Sequence, residues 1–532
     1  MSPPLPSQQT RGVFLFACLC FLPLIYSYWF VCDDAFISFR YAKHFALGEG
    51  LRYNLGTQVP VEGYSNLLWV ILCAVFERLH LSVEFFAPLL SSTCALLLLY
   101  RLCTHLVFVL KAPPLLSLFG VLSFALFPPA GLWATGGLAT APFALLVFLC
   151  YEALFTWSSL RYATFFGVLL VLLRAEGVVV ALGLGILSLA FRPLPVRRQN
   201  VFFLSSIVVA TLLLTAWRWS YYGEFLPNTV LVKGEVSLLR LERGWKYVAV
   251  FCLTFLSSLL ALVLSLYYLL RPSDKLFLPA CCFLAFVAYA ILSGGDFMPM
   301  GRFLAPAFAF QAILLTVTLK RALTCATPLK LSAITLFIGL LITSLLPAWN
   351  INLVPEQIRS KLHFRENTTT YRSETEQWQI MKQRAENWKE KGLALKAVTR
   401  PGESLVTKAI GNVGYFSDLT IYDQFGLVSK EVARLPQSTT PRSPGHDKEA
   451  PFEFFLDKEP TYLDAKLLTG KNIRGAAKRA AKEWRSHSAI TSLYAPELYS
   501  LTSRSSPSAL LLLKKLPPET IPDKAWSEFS HP

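Results

Sequence analysis

The amino-terminal part of the chain reads GVFLFACLCFLPLIYSYWFVC over residues 12–32 and continues directly into DDAFISFRYA over residues 33–42. The first run has no charged residue and, as a helix, is long enough to cross a bilayer core of about 30 Å. Paired carboxylates, Asp33 and Asp34, stand at its end, where aromatic or basic residues are usual. Residues 35–47 mix aromatic and basic side chains and predict an amphipathic helix lying on the membrane. We therefore expect chemistry at this junction.

The composition is that of a polytopic membrane protein. Of 532 residues, 54% are hydrophobic, 14% are aromatic and only 16% are charged, which is far from a soluble globular chain. Many of the basic residues behind the net charge of +16 flank apolar runs, where they would face the anionic headgroups of a lipid bilayer. Nucleic acid is therefore not expected as a partner.

Uncharged apolar runs predict about eleven transmembrane helices. They cover residues 12–32, 85–100, 115–127, 138–151, 162–173, 178–191, 201–217, 247–270, 276–292, 303–319 and 331–346. If the amino terminus is cytoplasmic and residues 63–80 form a second surface helix, the short basic connectors lie on the cytoplasmic side, as the positive-inside rule requires. The chemically varied segments then share the outer side: residues 33–62, 133–137, 174–177, 218–246, 294–302 and everything after 349.

The composition becomes that of a soluble region after residue 346. Residues 356–396 are rich in charged and amide side chains, and residues 373–391 predict a helix with an incomplete apolar stripe, while later runs alternate strand-like and helix-like patterns. We therefore predict two domains. Residues 1–348 form an all-α transmembrane domain with surface helices in its first outer loop, and residues 349–532 form a soluble, mixed α/β, extracytoplasmic domain.

Several motifs, in this order along the chain, carry a family resemblance. They are DDAFISFRYA at residues 33–42, VEGYSNLLW at 61–69, LRAEG at 173–177, YYGEFLPNT at 221–229 with Lys233, GGDFM at 294–298 with GRF at 301–303, GYFSD at 414–418, YDQFGL at 422–427 and PGH at 444–446. The set resembles the terminal (β-1,2) arabinofuranosyltransferase family of mycobacteria and corynebacteria. That family belongs to the GT-C superfamily of glycosyltransferases, which take sugars from polyprenyl-phosphate donors.

The resemblance implies a GT-C-like fold in the bacterial inner (cytoplasmic) membrane. Its implied activity is transfer of a sugar, arabinofuranose by family, from a polyprenyl-phosphate donor to a hydroxyl of a cell-envelope glycan or glycolipid acceptor. This agrees with the residues at the first junction, because a lipid-linked donor keeps its tail in the bilayer and presents its anomeric carbon at headgroup level. Asp33 and Asp34 are expected at that depth.

The paired acids are the predicted catalytic residues. Glycosyl transfer to a hydroxyl needs a carboxylate that accepts the proton or stabilises an oxocarbenium-like transition state. One of Asp33 and Asp34 is expected to be that group, with a slight preference for Asp33, and the other to orient it, hold a cation or contact the acceptor. The alternative from the residues alone is an acidic N-cap for the helix that follows.

Four basic residues are candidates for stabilising the phosphate that leaves the sugar: Arg302, Lys233, Arg218 and Arg174. Arg302 is preferred because it follows a Gly-rich loop, in which the backbone can approach a phosphate closely. The structural alternatives are an ion pair between Asp296 and Arg302 that shapes the turn, and an ion pair between Arg174 and Glu176 at a break between helices.

The remaining candidates are expected to bind substrate. They are Tyr64, Asn66, Tyr222, Asn228, Asp296, Glu176 and His446. Aromatic side chains at this depth are also ordinary interface anchors, and His446 is included only because the resemblance reaches it. Carboxylates at 33 and 34 suit a divalent cation, yet the sequence offers no His or Cys ligand set. No metal is assigned and no cofactor is required.

One departure from the family pattern bears on the substrate. The family usually has Gly-Leu-Glu-Thr where this chain has Gly137-Leu138-Ala139-Thr140, so a carboxylate expected at position 139 is missing. The sequence leaves two alternatives to the enzyme. One is a transporter or flippase of a lipid-linked sugar, for which charged mid-membrane segments and internal repeats are typical, and the other is a non-catalytic subunit with the same fold.

Overall fold

The structure is a computed structural model. It describes residues 8–56, 59–191, 194–233, 237–365, 371–437, 443–485, 488–501, 507–517, 519 and 526–529, without the side chains of 194–199, 488 and 528.

The described chain is mainly helical, with one small sheet near its carboxyl end. The helices are α1 Gln8–Ser27, α2 Asp33–Ala46, α3 Leu67–Arg78, α4 Val83–Thr104, α5 Pro114–Ala125, α6 Pro128–Thr135, α7 Thr140–Phe155, α8 Leu160–Leu173, α9 Gly177–Phe191, α10 Leu194–Tyr222, α11 Asn228–Val232, α12 Leu238–Thr254, α13 Leu256–Leu269, α14 Phe277–Leu292, α15 Phe308–Ala322, α16 Thr327–Leu345, α17 Glu356–Ser360, α18 Glu374–Val398, α19 Gly411–Ser417, α20 Lys430–Ala433, α21 Ile473–Arg485 and α22 Ser488–Thr491. The strands are β1 Ser404–Thr407, β2 Thr420–Asp423, β3 Tyr462–Thr469, β4 Tyr494–Leu501 and β5 Ser508–Lys515.

The predicted number of eleven membrane spans is not supported. Within the described residues, five helical segments are long and apolar enough to cross a membrane, or up to seven if each of two bent helix pairs counts as one span. The five are Gln8–Ser27, Val83–Val109, Asn200–Tyr222, Arg302–Ala322 and Thr327–Trp349. The bent pairs are α5 with α6, at 55°, and α12 with α13, at 116°.

The difference lies in helix length rather than in where the helices are, since each predicted apolar run overlaps a helix. Helices α7, α8, α9 and α14 have 16, 14, 15 and 16 residues. At about 1.5 Å per residue they reach roughly 21–24 Å, short of a hydrocarbon core of about 30 Å. The run 247–270 is divided by a sharp bend at Phe255, between α12 and α13.

The helical part encloses a buried ionic cluster. Glu152, on α7, is fully buried and accepts two hydrogen bonds from the Arg101 guanidinium of α4, at 2.9 and 3.1 Å. His105 Nδ1 lies 3.1 Å from the same carboxylate and begins a π-helical turn, His105–Val109, that ends α4. Burial of these charges is tolerated because they satisfy one another.

The carboxyl-terminal part, which the sequence predicts to be soluble and which we call the soluble part, contains helices and one small sheet, consistent with the predicted α/β mixture. Its five strands follow the order β2-β1-β3-β5-β4, with β1 parallel to β2 and β3, and β5 antiparallel to β3 and β4. Because side chains alternate along a strand, Leu510 and Leu512 join the large core shared with the apolar helices, whereas Leu511 and Leu513 pack in a second core with α21. The predicted domain boundary at 348 falls in the 3₁₀ turn Leu346–Trp349.

The predicted surface helix after the first span is α2, but it lies beneath the soluble part rather than open on the membrane. Residues 35–42 are all buried. Helix α2 packs against α3 on one side and against α19 on another. The carboxylates of Asp33 and Asp34 lie in its first turn, where the helix dipole favours negative charge.

We predict that Glu152→Ala lowers the free energy of unfolding by about 3–5 kcal/mol, because the largely buried Arg101 and the buried His105 lose their acceptor. Asp274→Ala is the matched control. It removes the pair with Arg321, whose side chain is 42% exposed, and should cost at most about 1 kcal/mol. Thermal unfolding in detergent measures both, and equal small losses would contradict a stabilising role for the cluster.

Candidate functional site

A basic cavity of about 180 Å³ lies where the ends of several helices meet the soluble part. Its charged lining residues are Arg174, Lys233, Arg240, Arg243, Arg302, Asp34, Asp296 and Asp447, and its other polar ones include Tyr64, Asn66 and His446. Arg174 and Lys233 come from loops that the sequence separates widely from Asp34 and His446. The structure therefore brings together segments that were predicted to share one side.

A second cavity of about 140 Å³, the adjoining cavity, shares a wall with the basic cavity. Asp34, Ile37, Phe297, Leu427 and His446 line both. The opposite wall of the adjoining cavity comes from one face of α18, with Gln377, Ile380, Met381, Arg384 and Trp388. Asp34 and His446 therefore lie at the boundary between the basic cavity and the adjoining cavity.

The two adjacent acids have different surroundings. The Asp33 carboxylate accepts hydrogen bonds from the backbone N–H groups of Gly411 and Asn412, at 3.3 and 2.7 Å, and from Asn412 Nδ2, at 3.0 Å. The Asp34 carboxylate accepts no hydrogen bond from the residues that the structure describes. It lines both cavities, while Asp33 lines only the adjoining one.

Burial governs the protonation of both acids. It raises the pKa of Asp33 to about 6, against the opposing effect of the hydrogen bonds from Asn412. Burial also raises the pKa of Asp34, while the positive charge of Arg302 is the largest influence that lowers it. A carboxylate with a raised pKa is a stronger base than an exposed one, as general-base chemistry requires.

The Asp33 contact holds the soluble part against α2. A Cβ at Gly411 would lie 1.9 Å from the backbone oxygen of Asp33, so only glycine permits this approach. Nearby, buried Arg40 donates to the carbonyl oxygens of Gly414 and Leu419, the latter at 2.6 Å. The soluble part thus closes over the first turn of α2 and supplies His446 to the site.

Arg302 is fixed by the loop that precedes it. Gly294, Gly295 and Gly301 have positive φ angles of 80°, 74° and 66°, which other residues rarely adopt. The Arg302 guanidinium donates to Asp296 at 2.6 and 3.1 Å. The ion pair foreseen as the structural alternative is therefore present, and both residues also line the basic cavity.

Lys233 and Arg174 lie on the same cavity wall. Burial lowers the pKa of Lys233, and the carboxylate of Glu176 opposes that effect. Arg174 donates to Glu176 at 2.5 Å, so the predicted ion pair at the helix break is also formed. Of this pair only Arg174 lines the basic cavity, and Glu176 does not.

His446 stands between two aromatic rings at the boundary of the cavities. Its ring meets those of Phe297 and Phe425 edge to face, with centroids 4.8 and 4.9 Å apart. Burial lowers the pKa of His446, with Asp34 the main opposing influence. The imidazole is therefore neutral near pH 7 and can exchange hydrogen bonds with a polar ligand.

Tyr64 and Asn66 line the basic cavity and are held by other side chains. The hydroxyl of Tyr64 is 3.0 Å from that of Tyr222, and Asn66 exchanges hydrogen bonds with Ser38 at 3.1 and 3.2 Å. Tyr222 itself donates to the carbonyl oxygen of Leu51 and does not line either cavity.

Arg218 and Asn228 also lie away from both cavities, in structural contacts. Arg218 is buried and donates to both carboxylate oxygens of Glu62 at 3.0 Å. Asn228 Nδ2 donates to the carbonyl oxygens of Gly426 and Leu427, at 2.6 and 3.1 Å, and so ties α11 to the soluble part. These contacts hold neighbouring segments together, and neither residue can contact a ligand in the cavities.

Several lining residues were not predicted. Arg243 donates to Asp447 at 2.6 and 3.0 Å, and Arg240 lies one turn earlier on α12. Their spacing of three residues on an amphipathic helix was the available signal. Trp388 and Met381, which line the adjoining cavity, belong to the incomplete apolar stripe predicted for residues 373–391. Among the described residues, no group of three or more His, Cys, Asp or Glu side chains is arranged to hold a metal ion.

Part of the chain is similar to a known protein family. A family model described as a domain of unknown function (DUF8728) matches residues 370–506. The match includes α18, which lines the adjoining cavity, His446, which lines both cavities, and α19, which contacts Asp33. No curated protein matches the chain.

We predict that Gly411→Ala disturbs the docking of the soluble part on α2 and costs about 1–3 kcal/mol, because the added methyl group overlaps backbone atoms. Gly339→Ala is the matched control, since nothing lies within 4 Å of its would-be Cβ. Hydrogen exchange should rise in α2 and α19 for the first variant alone. Unchanged exchange in both variants would contradict the close approach.

Proposed function

We propose that the protein is a membrane glycosyltransferase that moves a sugar from a polyprenyl-phosphate donor to a hydroxyl of a glycan or glycolipid acceptor. The observation that carries the proposal is the Asp34 carboxylate, which faces a cavity rich in Arg and Lys at the ends of apolar helices. Such a cavity offers a base and a phosphate site within one enclosure. The motifs that resemble the arabinofuranosyltransferase family, in their order along the chain, support the same conclusion.

The donor phosphate binds in the basic cavity. Lys233, Arg302 and Arg174 provide positive charge there, and Arg240 and Arg243 extend it. As the sugar leaves, the bond between its anomeric carbon and the phosphate oxygen breaks, and the electron pair stays on that oxygen. Cations held in a partly dehydrated cavity stabilise this developing charge more strongly than water does. The ion pairs with Asp296 and Glu176 keep the guanidinium groups oriented.

Asp34 accepts the proton of the attacking hydroxyl. The acceptor approaches through the adjoining cavity, its oxygen bonds to the anomeric carbon, and its proton passes to the carboxylate. The slight initial preference for Asp33 is reversed here, since three donors already occupy the Asp33 carboxylate. Asp33 is a positioning residue that sets the first turn of α2. His446 lies beside Asp34 and can orient the acceptor hydroxyl.

The identities of the donor sugar, the membrane and the acceptor are proposed from the family resemblance. Arabinofuranose is the donor sugar that the family suggests, and the bacterial cytoplasmic membrane is the location. The carboxyl-terminal part is then extracytoplasmic, with the acceptor a component of the cell envelope. A second candidate function is that of a non-catalytic subunit. It is favoured by Ala139, which is buried on the wall of the basic cavity where the family usually has a Glu.

Transfer from a panel of polyprenyl-phosphate sugars, with protein reconstituted in lipid, tests the activity and identifies the donor. We expect Asp34→Asn to lower kcat by about 10²–10⁴-fold, the range for loss of a general base. Asp33→Asn is the matched control and should lower thermal stability with a smaller effect on kcat. Full turnover by Asp34→Asn would reject its assignment, and turnover by neither wild type nor variants would favour the non-catalytic subunit.

The pH profile gives an independent test of the base. Protonated Asp34 cannot accept a proton, so kcat/KM should fall as the pH falls through its pKa. Burial raises that pKa, and the midpoint should therefore lie above the ordinary value of about 3.9. The fall should persist in Asp33→Asn, which removes the other titrating acid. A flat profile between pH 4 and 7, with the fold intact, would contradict the assignment.

A further inference from the structure

A third space, the surface groove, lies on the other side of α18 from the adjoining cavity. It has a volume of about 490 Å³ and opens where the ends of α1 and α4 meet α18. Residues 382, 385, 386 and 389 of α18 line it, whereas residues 377, 380, 381, 384 and 388 line the adjoining cavity. Different faces of α18 thus line the surface groove and the adjoining cavity. None of the predicted site residues lines the surface groove.

The groove has an aromatic wall. Trp29 and Phe85 form a pair with ring centroids 5.7 Å apart and planes inclined by 39°. Phe85 is 50% exposed, and the indole N–H of Trp29 has no hydrogen-bond partner among the described residues. Aromatic side chains bury a large apolar area, and a Trp N–H that becomes buried needs a hydrogen-bond partner. The pair therefore suits a ligand that has an apolar face and hydroxyl groups.

The charges of the groove are balanced. Glu84 and Glu386 oppose Lys382 and Lys389, so its formal charge is zero. Lys389 forms an ion pair with Glu84, whereas Lys382 and Glu386 form no ion pair within the described chain. A phosphate or an anionic headgroup is best held by an excess of Arg and Lys. Balanced acids and bases suit a neutral ligand that both donates and accepts hydrogen bonds.

Asn412 lies between the groove and the reaction site. Asn412 lines the surface groove, and its backbone N–H and Nδ2 both donate to Asp33. Asp33 in turn lines the adjoining cavity and precedes Asp34. A ligand in the groove therefore lies one residue layer away from the acids of the first turn of α2.

We propose that the surface groove binds a neutral oligosaccharide, namely a stretch of the acceptor glycan away from the hydroxyl that reacts. This inference rests on the proposed function. A volume of several hundred Å³ accommodates a few sugar units. The aromatic pair provides a stacking surface, while Glu386, Lys382 and the Trp29 indole hydrogen-bond to hydroxyl groups. Long acceptors thereby gain binding energy that short acceptors cannot reach.

Direct binding tests the proposal without transfer. Neutral oligosaccharides of pentoses and of hexoses are titrated into the protein in nanodiscs of zwitterionic lipid, as disaccharides and as hexasaccharides. We expect Trp29→Ala and Phe85→Ala to weaken hexasaccharide binding by about three- to tenfold each, the size of one aromatic stacking contact. Disaccharide binding should change less. Trp219→Ala is the matched control, because Trp219 is exposed and lies outside the groove.

Kinetics with an active donor distinguish this inference from the proposed function. In both groove variants KM should rise for the long acceptor only, with kcat unchanged, and folding is checked by thermal unfolding. If hexasaccharide binding is lost in the groove variants but no donor supports transfer, the groove stands and the proposed function fails. Equal binding by wild type, Trp29→Ala and Phe85→Ala would overturn the groove assignment, as would displacement of bound phospholipid but not of sugar.

Discussion

The contact between Asp33 and the start of α19 is the constraint on which the site depends. Three donors from Gly411 and Asn412 converge on one carboxylate, and the missing side chain of Gly411 lets the two backbones touch. This contact attaches the soluble part to the first turn of α2. It thereby fixes the direction of the Asp34 carboxylate and brings His446 to the same enclosure. Without it the two cavities would lose a common wall.

A second constraint is the balance of buried charge. The basic cavity holds more Arg and Lys than acids, and several of its cations already have partners, as in the pairs of Arg302 with Asp296 and Arg243 with Asp447. Paired guanidinium groups are oriented before a ligand arrives, which reduces the cost of organising them during a reaction. Lys233 differs, since burial lowers its pKa, and an anionic ligand beside it would raise that pKa again. The cavity is therefore suited to gaining one further negative group.

Much of the architecture could be predicted from the sequence, because uncharged runs and the change in composition after residue 346 are strong signals. The number of spans could not, since no proline marks the bend at Phe255, and uncharged runs do not show how long a helix becomes. Helices α7, α8, α9 and α14 are too short to cross the bilayer core. The predicted site residues that line the basic cavity are Asp34, Arg174, Lys233, Arg302, Tyr64, Asn66, Asp296 and His446. Arg218 and Asn228 do not reach it, because Glu62 and the carbonyl groups of the soluble part hold them. Neighbouring residues of one type, such as Asp33 and Asp34, acquire different roles only through partners distant in sequence.

We propose that a lipid-linked sugar phosphate occupies the basic cavity with its anomeric carbon beside Asp34. The most direct measurement is an electron cryomicroscopy structure of the protein in nanodiscs with a polyprenyl-phosphate sugar analogue that cannot be transferred. We expect density for the phosphate among Lys233, Arg302 and Arg174, and density for the sugar within hydrogen-bond reach of the Asp34 carboxylate. A phosphate bound elsewhere, with the basic cavity empty, would contradict it.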